Sequence, residues 1–189
     1  MRSLLARLIL KIGRYRLVNK APDEPVMVLV AAPHTSNWDF PLMLAMAWAA
    51  GLSPKWLGKK QMFAGPMAPI FRALGGIAVD RDAPGDLVAD MAADARSTAS
   101  LALVVPAEGT RSKGEYWKSG FYRIARDAEI PIVLSYLDGP SRTGGFGPSI
   151  DSSQSVSAVM DEVRAFYADK GGVKPANKTE PRLREEDAG

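Results

Sequence analysis

Short, nearly continuous apolar runs alternate with helical patterns along this chain of 189 residues. The runs have the length and composition of buried strands, and they lie at 26–32, 76–79, 101–105 and 130–136, with a shorter one at 55–57. Helical patterns separate or follow them at 42–50, 86–99, 120–128 and 153–170, and 61–74 is expected to contain helical turns. This alternation predicts an α/β fold, a single domain with a largely parallel sheet flanked by helices.

The composition excludes several kinds of active site. The chain has no cysteine, which excludes disulfide frameworks, thiolate metal sites and a cysteine nucleophile. His34 is the only histidine, so metal sites that need two histidine ligands are excluded as well. We therefore expect a site without a metal.

Positive charge is concentrated at the N-terminal end. Six of the 24 basic residues and none of the 21 acidic residues lie in the first twenty, although the net charge of +3 is too small to indicate a nucleic-acid partner. The helical pattern at 1–17 separates an apolar set from a basic set: Leu4, Leu5, Leu8, Ile9 and Ile12 against Arg7, Lys11 and Arg14. This predicts an amphipathic helix within residues 1–20 that contacts a membrane surface with anionic lipids. The alternative is a helix that packs on the domain while its charges are merely solvated.

No segment has the length of a membrane span, because the longest charge-free stretch, 40–54, contains two prolines and a glycine. The apolar N-terminal run is interrupted by Arg7 and lacks the cleavage site of a secretory signal. We expect a cytoplasmic protein, peripheral on the inner face of the membrane. Its main domain is predicted at 21–170, and the polar tail at 171–189 is predicted to be disordered.

The first polar motif, Pro-His-Thr-Ser-Asn-Trp-Asp at 33–39, follows a predicted buried strand and begins a helix. A histidine and an aspartate five residues apart across such a turn can approach each other. The carboxylate then orients the imidazole and stabilises its charged form, and the other ring nitrogen is free to act as a base. The alternative is that Asp39 only caps the helix and that His34 is a hydrogen-bonded structural residue.

Two more polar clusters follow predicted strands, where ligands of parallel sheets collect. Arg81 comes after the run at 76–79, and its guanidinium can bind a phosphate through two hydrogen bonds, or it belongs to a surface network with the aspartates beside it. In the cluster at 106–112, Gly109 permits a tight turn, and Thr110 and Arg111 can donate to phosphate oxygens. Glu108, if buried, needs a cationic or hydroxyl partner.

In this order and at these separations, HxxxxD at 34–39, GGIAVDR at 75–81, EGTRS at 108–112 and IPIV at 130–133 resemble the motifs of the glycerolipid acyltransferases. The best-known members are the 1-acylglycerol-3-phosphate O-acyltransferases, also called lysophosphatidic acid acyltransferases. The resemblance extends from about residue 33 to residue 138. It implies an α/β enzyme at a membrane surface that needs no cofactor. Such an enzyme moves a fatty acyl group from acyl-CoA or acyl-carrier protein, as co-substrate, to the hydroxyl of a lysophosphatidic-acid-like acceptor in phospholipid synthesis.

The resemblance also implies roles for individual residues. His34 is the general base and Asp39 is its orienting partner. The polar residues that follow the predicted strands bind the phosphate and glycerol of the acceptor. These residues are Arg81, Glu108, Gly109, Thr110 and Arg111. Pro131 is associated with the acyl donor or with support of the site. The third motif departs from the usual pattern, because Ala107 stands where members have proline, and Pro106 is displaced by one position.

Direct attack of the acceptor hydroxyl on the thioester fits the sequence, because the chain has neither cysteine nor a GxSxG nucleophile motif. The sequence also leaves other functions open. Within the same class, the acceptor could be glycerol 3-phosphate, a lysophospholipid or an amino-acid lipid. From other classes, the alternatives are a non-catalytic lipid-binding domain and a thioester hydrolase in which the same base activates water.

Overall fold

One mixed sheet organises the part of the chain that the computed structural model describes, residues 2–79 and 84–188. Its seven strands stand in the order β1-β7-β6-β2-β5-β3-β4, and every neighbouring pair is parallel except β6 with β7. In chain order they are β1 (Arg16–Leu17), β2 (Val26–Ala31), β3 (Pro54–Lys59), β4 (Gly76–Val79), β5 (Leu101–Val105), β6 (Ile132–Asp138) and β7 (Thr143–Ile150). The predicted α/β fold with a largely parallel sheet is confirmed.

Helices cover both faces of the sheet and create two apolar cores. One face carries α1 (Arg2–Gly13), α2 (Asp39–Ala49) and α3 (Ala68–Ala73), and the other carries α4 (Pro84–Ser97), α5 (Gly120–Ala128) and α6 (Val156–Tyr167). Short 3₁₀ helices occupy Lys60–Phe63, Pro175–Asn177 and Arg184–Ala188. In β2, Met27 and Leu29 belong to the first core, and Val28 and Val30 belong to the second. A strand covered on both faces is apolar at every position, which is why this one reads as a continuous run.

The sequence predicted neither the two-residue strand β1, which lies within the predicted helical segment 1–17, nor strand β7. Three glycines and a proline within Thr143–Ile150 lower its strand propensity. At all three of these glycines, neighbouring side chains crowd the position that a Cβ would occupy. A Cβ on Gly144 would lie 2.8 Å from Cε of Met46, and one on Gly147 would lie 2.5 Å from the ring of Phe166. Close tertiary approach therefore decides the composition of this strand.

Helix α1 presents three different faces: one buried, one exposed and apolar, and one basic. Ala6 and Leu10 are buried against the core that α2 shares, whereas Leu4, Leu5, Leu8 and Ile12 are exposed, Ile12 to 75% and Leu8 to 54%. At 100° per residue the exposed apolar side chains form a continuous stripe, with Arg7 and Lys11 along one edge. The helix thus packs on the domain and also presents an apolar surface to the outside. Within the described residues, no helix is both long enough and apolar enough to cross a bilayer.

The structure differs from the predicted disorder of 171–189, because residues 171–188 are folded against the domain. Leu183 is fully buried in the core that contains Trp117 and Tyr167, and Thr179 is only 1% exposed. A polar segment with so few apolar residues cannot form a core of its own. This one is ordered because Leu183 enters one core of the domain and Val173 packs against the other. Loops of the domain also form hydrogen bonds with its backbone.

Candidate active site

The first and third motifs meet because their strands are neighbours. Strands β2 and β5 pair in parallel with Val30 opposite Val105, so the loops that follow them leave the same edge of the sheet side by side. The loop after β2 holds His34, and the loop after β5 holds the Glu-Gly-Thr-Arg sequence. The carboxyl edge of the central strands is the usual position of a ligand site in an α/β sheet.

His34 and Asp39 lie together at this edge. Nδ1 of His34 is 3.2 Å from Oδ2 of Asp39, and the histidine side chain is 18% exposed while the aspartate side chain is 6% exposed. Since Nδ1 faces the carboxylate, Nε2 is the ring nitrogen left for the adjoining cavity, which His34 helps to line. An imidazole that a carboxylate holds in this way has the orientation that a general base would need.

Asp39 also organises the loop that carries His34. Its Oδ2 accepts hydrogen bonds from the backbone N–H groups of Thr35, at 2.7 Å, and Ser36, at 2.8 Å. Oδ1 is buried and has no hydrogen-bond partner among the described residues. Asp39 is the first residue of α2, and the capping position itself is Trp38. The same carboxylate oxygen therefore holds the loop and faces the imidazole, whereas the helix-capping role considered for Asp39 from the sequence is not seen, because Trp38 occupies the capping position.

Glu108 is buried beneath the two loops and does not line the cavity. Its Oε2 accepts from the backbone N–H of His34 at 2.6 Å, and its Oε1 accepts from the backbone N–H of Thr179 at 3.1 Å. Burial raises the pKa of Glu108, and these two hydrogen bonds together with the nearby imidazole oppose the rise. The expected partners were a cation or a hydroxyl, and the expected role was acceptor binding. Instead, backbone N–H groups satisfy the carboxylate, and Glu108 joins two loops.

The turn after Glu108 faces the cavity. Gly109 has a φ of +68°, and a Cβ there would lie 2.9 Å from Cγ of Lys118, so glycine is required for both backbone and space. Thr110 and Arg111 follow as exposed residues that line the cavity. Among the residues that the structure describes, Arg111 has no hydrogen-bond or ion-pair partner. Its guanidinium is thus available to an anion at the polar end of the cavity.

The cavity has a volume of about 550 Å³ and two chemically different ends. His34, Asn37, Lys59, Thr110 and Arg111 line the polar end. The remainder is mainly apolar, although Ser135 and Tyr136 also line it, and it lies between α2, β3 and the central strands. Its apolar wall contains Phe40, Met43, Met46, Trp56, Phe71, Val104, Leu137 and Phe146. Such a space accepts a long apolar chain whose polar end stops beside His34.

Not every predicted site residue reaches this cavity. Arg81 lies outside the described residues. Pro131 precedes β6, and its carbonyl accepts from the N–H of Val28, three residues before the end of β2. That places Pro131 roughly 10 Å of strand away from the carboxyl edge, where it supports the sheet instead of contacting the cavity. Sequence reasoning missed Asn37 and Lys59, and only their positions, inside the first motif and at the end of a strand, could have indicated them.

The chain is similar to known proteins in its sequence and in its fold. Residues 16–135, more than half of the chain, match a family model described as Acyltransferase. No curated protein matches the sequence. A solved structure, the 1-acyl-sn-glycerophosphate (LPA) acyltransferase PlsC from Thermotoga maritima, is similar with a TM-score of 0.55 and 18% identity, over 88% of this chain and 76% of that one. At that identity the likeness shows the fold, whereas the family match, together with the ordered motifs around His34 and Arg111, shows that the chain belongs to the Acyltransferase family.

Proposed function

We propose that this protein is an O-acyltransferase of glycerolipid synthesis, which moves a fatty acyl group from acyl-CoA or acyl-carrier protein to the free hydroxyl of a lysophosphatidic-acid-like acceptor. One observation carries the proposal. The imidazole of His34, oriented by Asp39, stands where the polar end of a cavity meets its apolar remainder. This is where the hydroxyl of a phosphorylated acceptor and the thioester of a fatty acyl chain have to meet.

The reaction needs one base and no covalent intermediate. Nε2 of His34 takes the proton of the acceptor hydroxyl while its oxygen attacks the thioester carbonyl. The new ester C–O bond forms, the C–S bond breaks, and the proton passes from His34 to the departing thiolate. Asp39 stabilises the imidazolium that exists between the two proton transfers. A positioned base contributes roughly 10²–10⁴-fold to such a reaction.

The two ends of the cavity suit the two parts of the reactants. The guanidinium of Arg111, which has no partner among the residues that the structure describes, is suited to bind the acceptor phosphate bidentately, with Thr110 as a neighbouring donor. The apolar remainder, with Met43, Met46 and Phe146 in its wall, is suited to bury a fatty acyl chain. Glu108 supports the position of His34 from below and takes no part in binding the phosphate.

A membrane surface is the source of a lysolipid acceptor, and α1 is the element suited to contact it. Its exposed stripe of Leu4, Leu5, Leu8 and Ile12 would enter the interface between headgroups and acyl chains, while Arg7 and Lys11 would meet anionic headgroups. Trp38, 69% exposed beside the His34 loop, would add an aromatic anchor near the cavity. The domain would then sit peripherally on the membrane.

The enzymatic proposal is tested with labelled acyl-CoA and a panel of acceptors: lysophosphatidic acid, glycerol 3-phosphate, a neutral lysophospholipid, an amino-acid lipid and no acceptor. We expect labelled phosphatidic acid from wild type and a loss of nearly all transfer in folded His34→Ala. Thioester loss that is independent of the acceptor would identify a hydrolase instead. Lipid binding without turnover in wild type would identify a binding domain, and a different preferred acceptor would correct the substrate.

The membrane proposal is tested with the double variant Leu8→Ser/Ile12→Ser, which alters only the exposed stripe of α1. We expect weaker co-sedimentation with anionic liposomes and lower activity on bilayer substrate, with unchanged activity on a short-chain, water-soluble acceptor. Val18→Ser is the matched control, because Val18 is also half exposed but lies outside α1. Liposome binding by the double variant that equals the binding of wild type and of this control would place the membrane contact elsewhere.

A further inference from the structure

Residues 171–183, termed the strap here, cross the carboxyl edge of the sheet and touch both loops of the candidate site. The first residues of the strap lie beside the end of β6. There the N–H of Gly171 donates to Oδ1 of Asp138, and the carbonyl of Gly172 accepts from the N–H of Gly139. It ends where Leu183 enters the core. Between these two anchors it has no role in the chemistry proposed above, although its path passes directly beside the His34 loop.

Three strap residues hold Thr35, the residue after His34. Nδ2 of Asn177 donates to the Thr35 carbonyl at 3.1 Å, and the N–H of Lys174 donates to Thr35 Oγ1 at 2.9 Å. Gly172 passes so close that a Cβ there would lie 2.9 Å from Thr35. The N–H of Thr35 meanwhile donates to Asp39 Oδ2, and Thr35 is only 1% exposed. The backbone between His34 and Asp39 is therefore held at Thr35, by the strap on one side and by the Asp39 carboxylate on the other.

The strap is fixed to the Glu108 loop at Thr179, whose three polar groups are all used. The N–H of Thr179 donates to Glu108 Oε1, its hydroxyl accepts from the N–H of Gly114, and its carbonyl accepts from Nε1 of Trp117. Glu108 in turn accepts from the N–H of His34. The strap thus reaches the backbone of His34 along two routes: through hydrogen bonds to Glu108, and through hydrogen bonds to Thr35, the next residue in the chain.

We propose that the strap positions the catalytic pair, with Asn177 and Thr35 as positioning residues that act through the backbone directly after His34. The proposal rests on the assignment of His34 as the base. Loss of an orienting hydrogen bond changes the distance and angle between the imidazole, the carboxylate and the acceptor hydroxyl, and small displacements of this kind lower turnover more than they lower substrate affinity.

The experiment compares Asn177→Ala, Thr35→Val and Thr35→Ser with wild type. We expect kcat to fall roughly tenfold in Asn177→Ala and in Thr35→Val, with the KM of both substrates within about twofold of wild type. Thr35→Ser keeps the hydroxyl that accepts from Lys174 and should stay within about twofold in kcat. Gln154→Ala is the matched control, because it removes a side-chain amide that donates one half-buried hydrogen bond, to Glu162, away from the strap.

A second readout does not depend on any substrate. Because His34 is the only histidine in the chain, its imidazole gives a single set of NMR signals that report directly on the site. We expect these signals to shift in Asn177→Ala and Thr35→Val and to stay unchanged in Thr35→Ser and Gln154→Ala. If wild type shows no transfer, the proposed function fails while these shifts still test the strap. Unshifted signals in Asn177→Ala and Thr35→Val would overturn the positioning role, as would a kcat loss in Gln154→Ala equal to theirs.

Discussion

Replacing Asp39 by asparagine isolates the charge of the carboxylate from its hydrogen bonds. The amide oxygen can take the place of Oδ2, which accepts from Thr35 and Ser36 and faces Nδ1 of His34. The amide nitrogen then occupies the position of Oδ1, which has no partner among the described residues and so offers no clash with a donor. The loop and the histidine tautomer are retained, and the negative charge is lost.

The size of the effect follows from the distance. Two unit charges 3.2 Å apart interact by about 5 kcal/mol at an effective dielectric constant of about 20. Partial exposure of His34 reduces this figure, and a loss of about 4 kcal/mol corresponds to roughly 10³-fold in kcat. The loss of an acidic residue from the first turn of α2 costs about 0.3–1 kcal/mol of folding stability, which lowers Tm by at most about 4 °C in a domain of this size.

Initial rates of CoA release with lysophosphatidic acid, measured beside thermal melts, test this estimate. We expect a large fall in kcat, little change in either KM, and a fold that remains intact. A well-folded Asp39→Asn variant with a kcat within tenfold of wild type would refute the electrostatic role and leave Asp39 as a residue that only holds the loop. A rise in acceptor KM at constant kcat would place the carboxylate in substrate binding instead.

Three further outcomes are expected. Arg111→Lys keeps the charge but loses the planar donor pair, so acceptor KM should rise roughly tenfold while acyl-CoA KM stays constant; equal changes in both would assign Arg111 to structure or to the donor. Ala47→Phe fills the apolar part of the cavity and should shift the preference from palmitoyl-CoA towards decanoyl-CoA, as kcat/KM ratios would show. Burial raises the pKa of Asp138, but hydrogen bonds from Ser141 and Gly171 outweigh it and hold the pKa below its ordinary value. The stability advantage of wild type over Asp138→Asn should therefore be present above about pH 4 and shrink as the pH falls through the pKa of the folded carboxyl, as denaturant melts at several pH values will show.

Local sequence was enough to predict the parts of the site that local structure builds. His34 and Asp39 are five residues apart across one turn, and a buried strand before them sets the edge of the sheet at which they lie. The Gly109–Arg111 turn follows the adjacent strand in the same way. Strand composition and turn chemistry carry this information, and both can be recognised in short windows of sequence.

The remainder depends on contacts between distant parts of the chain. Asn177 meets Thr35 across 142 residues and Thr179 meets Glu108 across 71, and no periodicity or motif encodes such pairs. The same limit applies to β7, whose glycines only make sense once Met46 and Phe166 are in place. Pro131 belongs to a recognised motif, yet its position at the opposite edge depends on the direction of β6. A motif therefore shows that a residue belongs to a family pattern, and the direction of its strand decides at which edge of the sheet the residue lies.

Because the strap follows the sheet in the sequence, it is synthesised after the loops that it holds. Domains begin to fold during translation, from the N-terminal side onward. All seven strands and α2 leave the ribosome before Asn177 and Thr179 do, so a nascent chain can complete its sheet while the loop around His34 still lacks two of its holding contacts. A nascent chain could then hold a complete sheet before the strap fixes the His34 loop and before Leu183 fills its place in the core. Full turnover would then be reached only after residues 171–183 have been made and have docked.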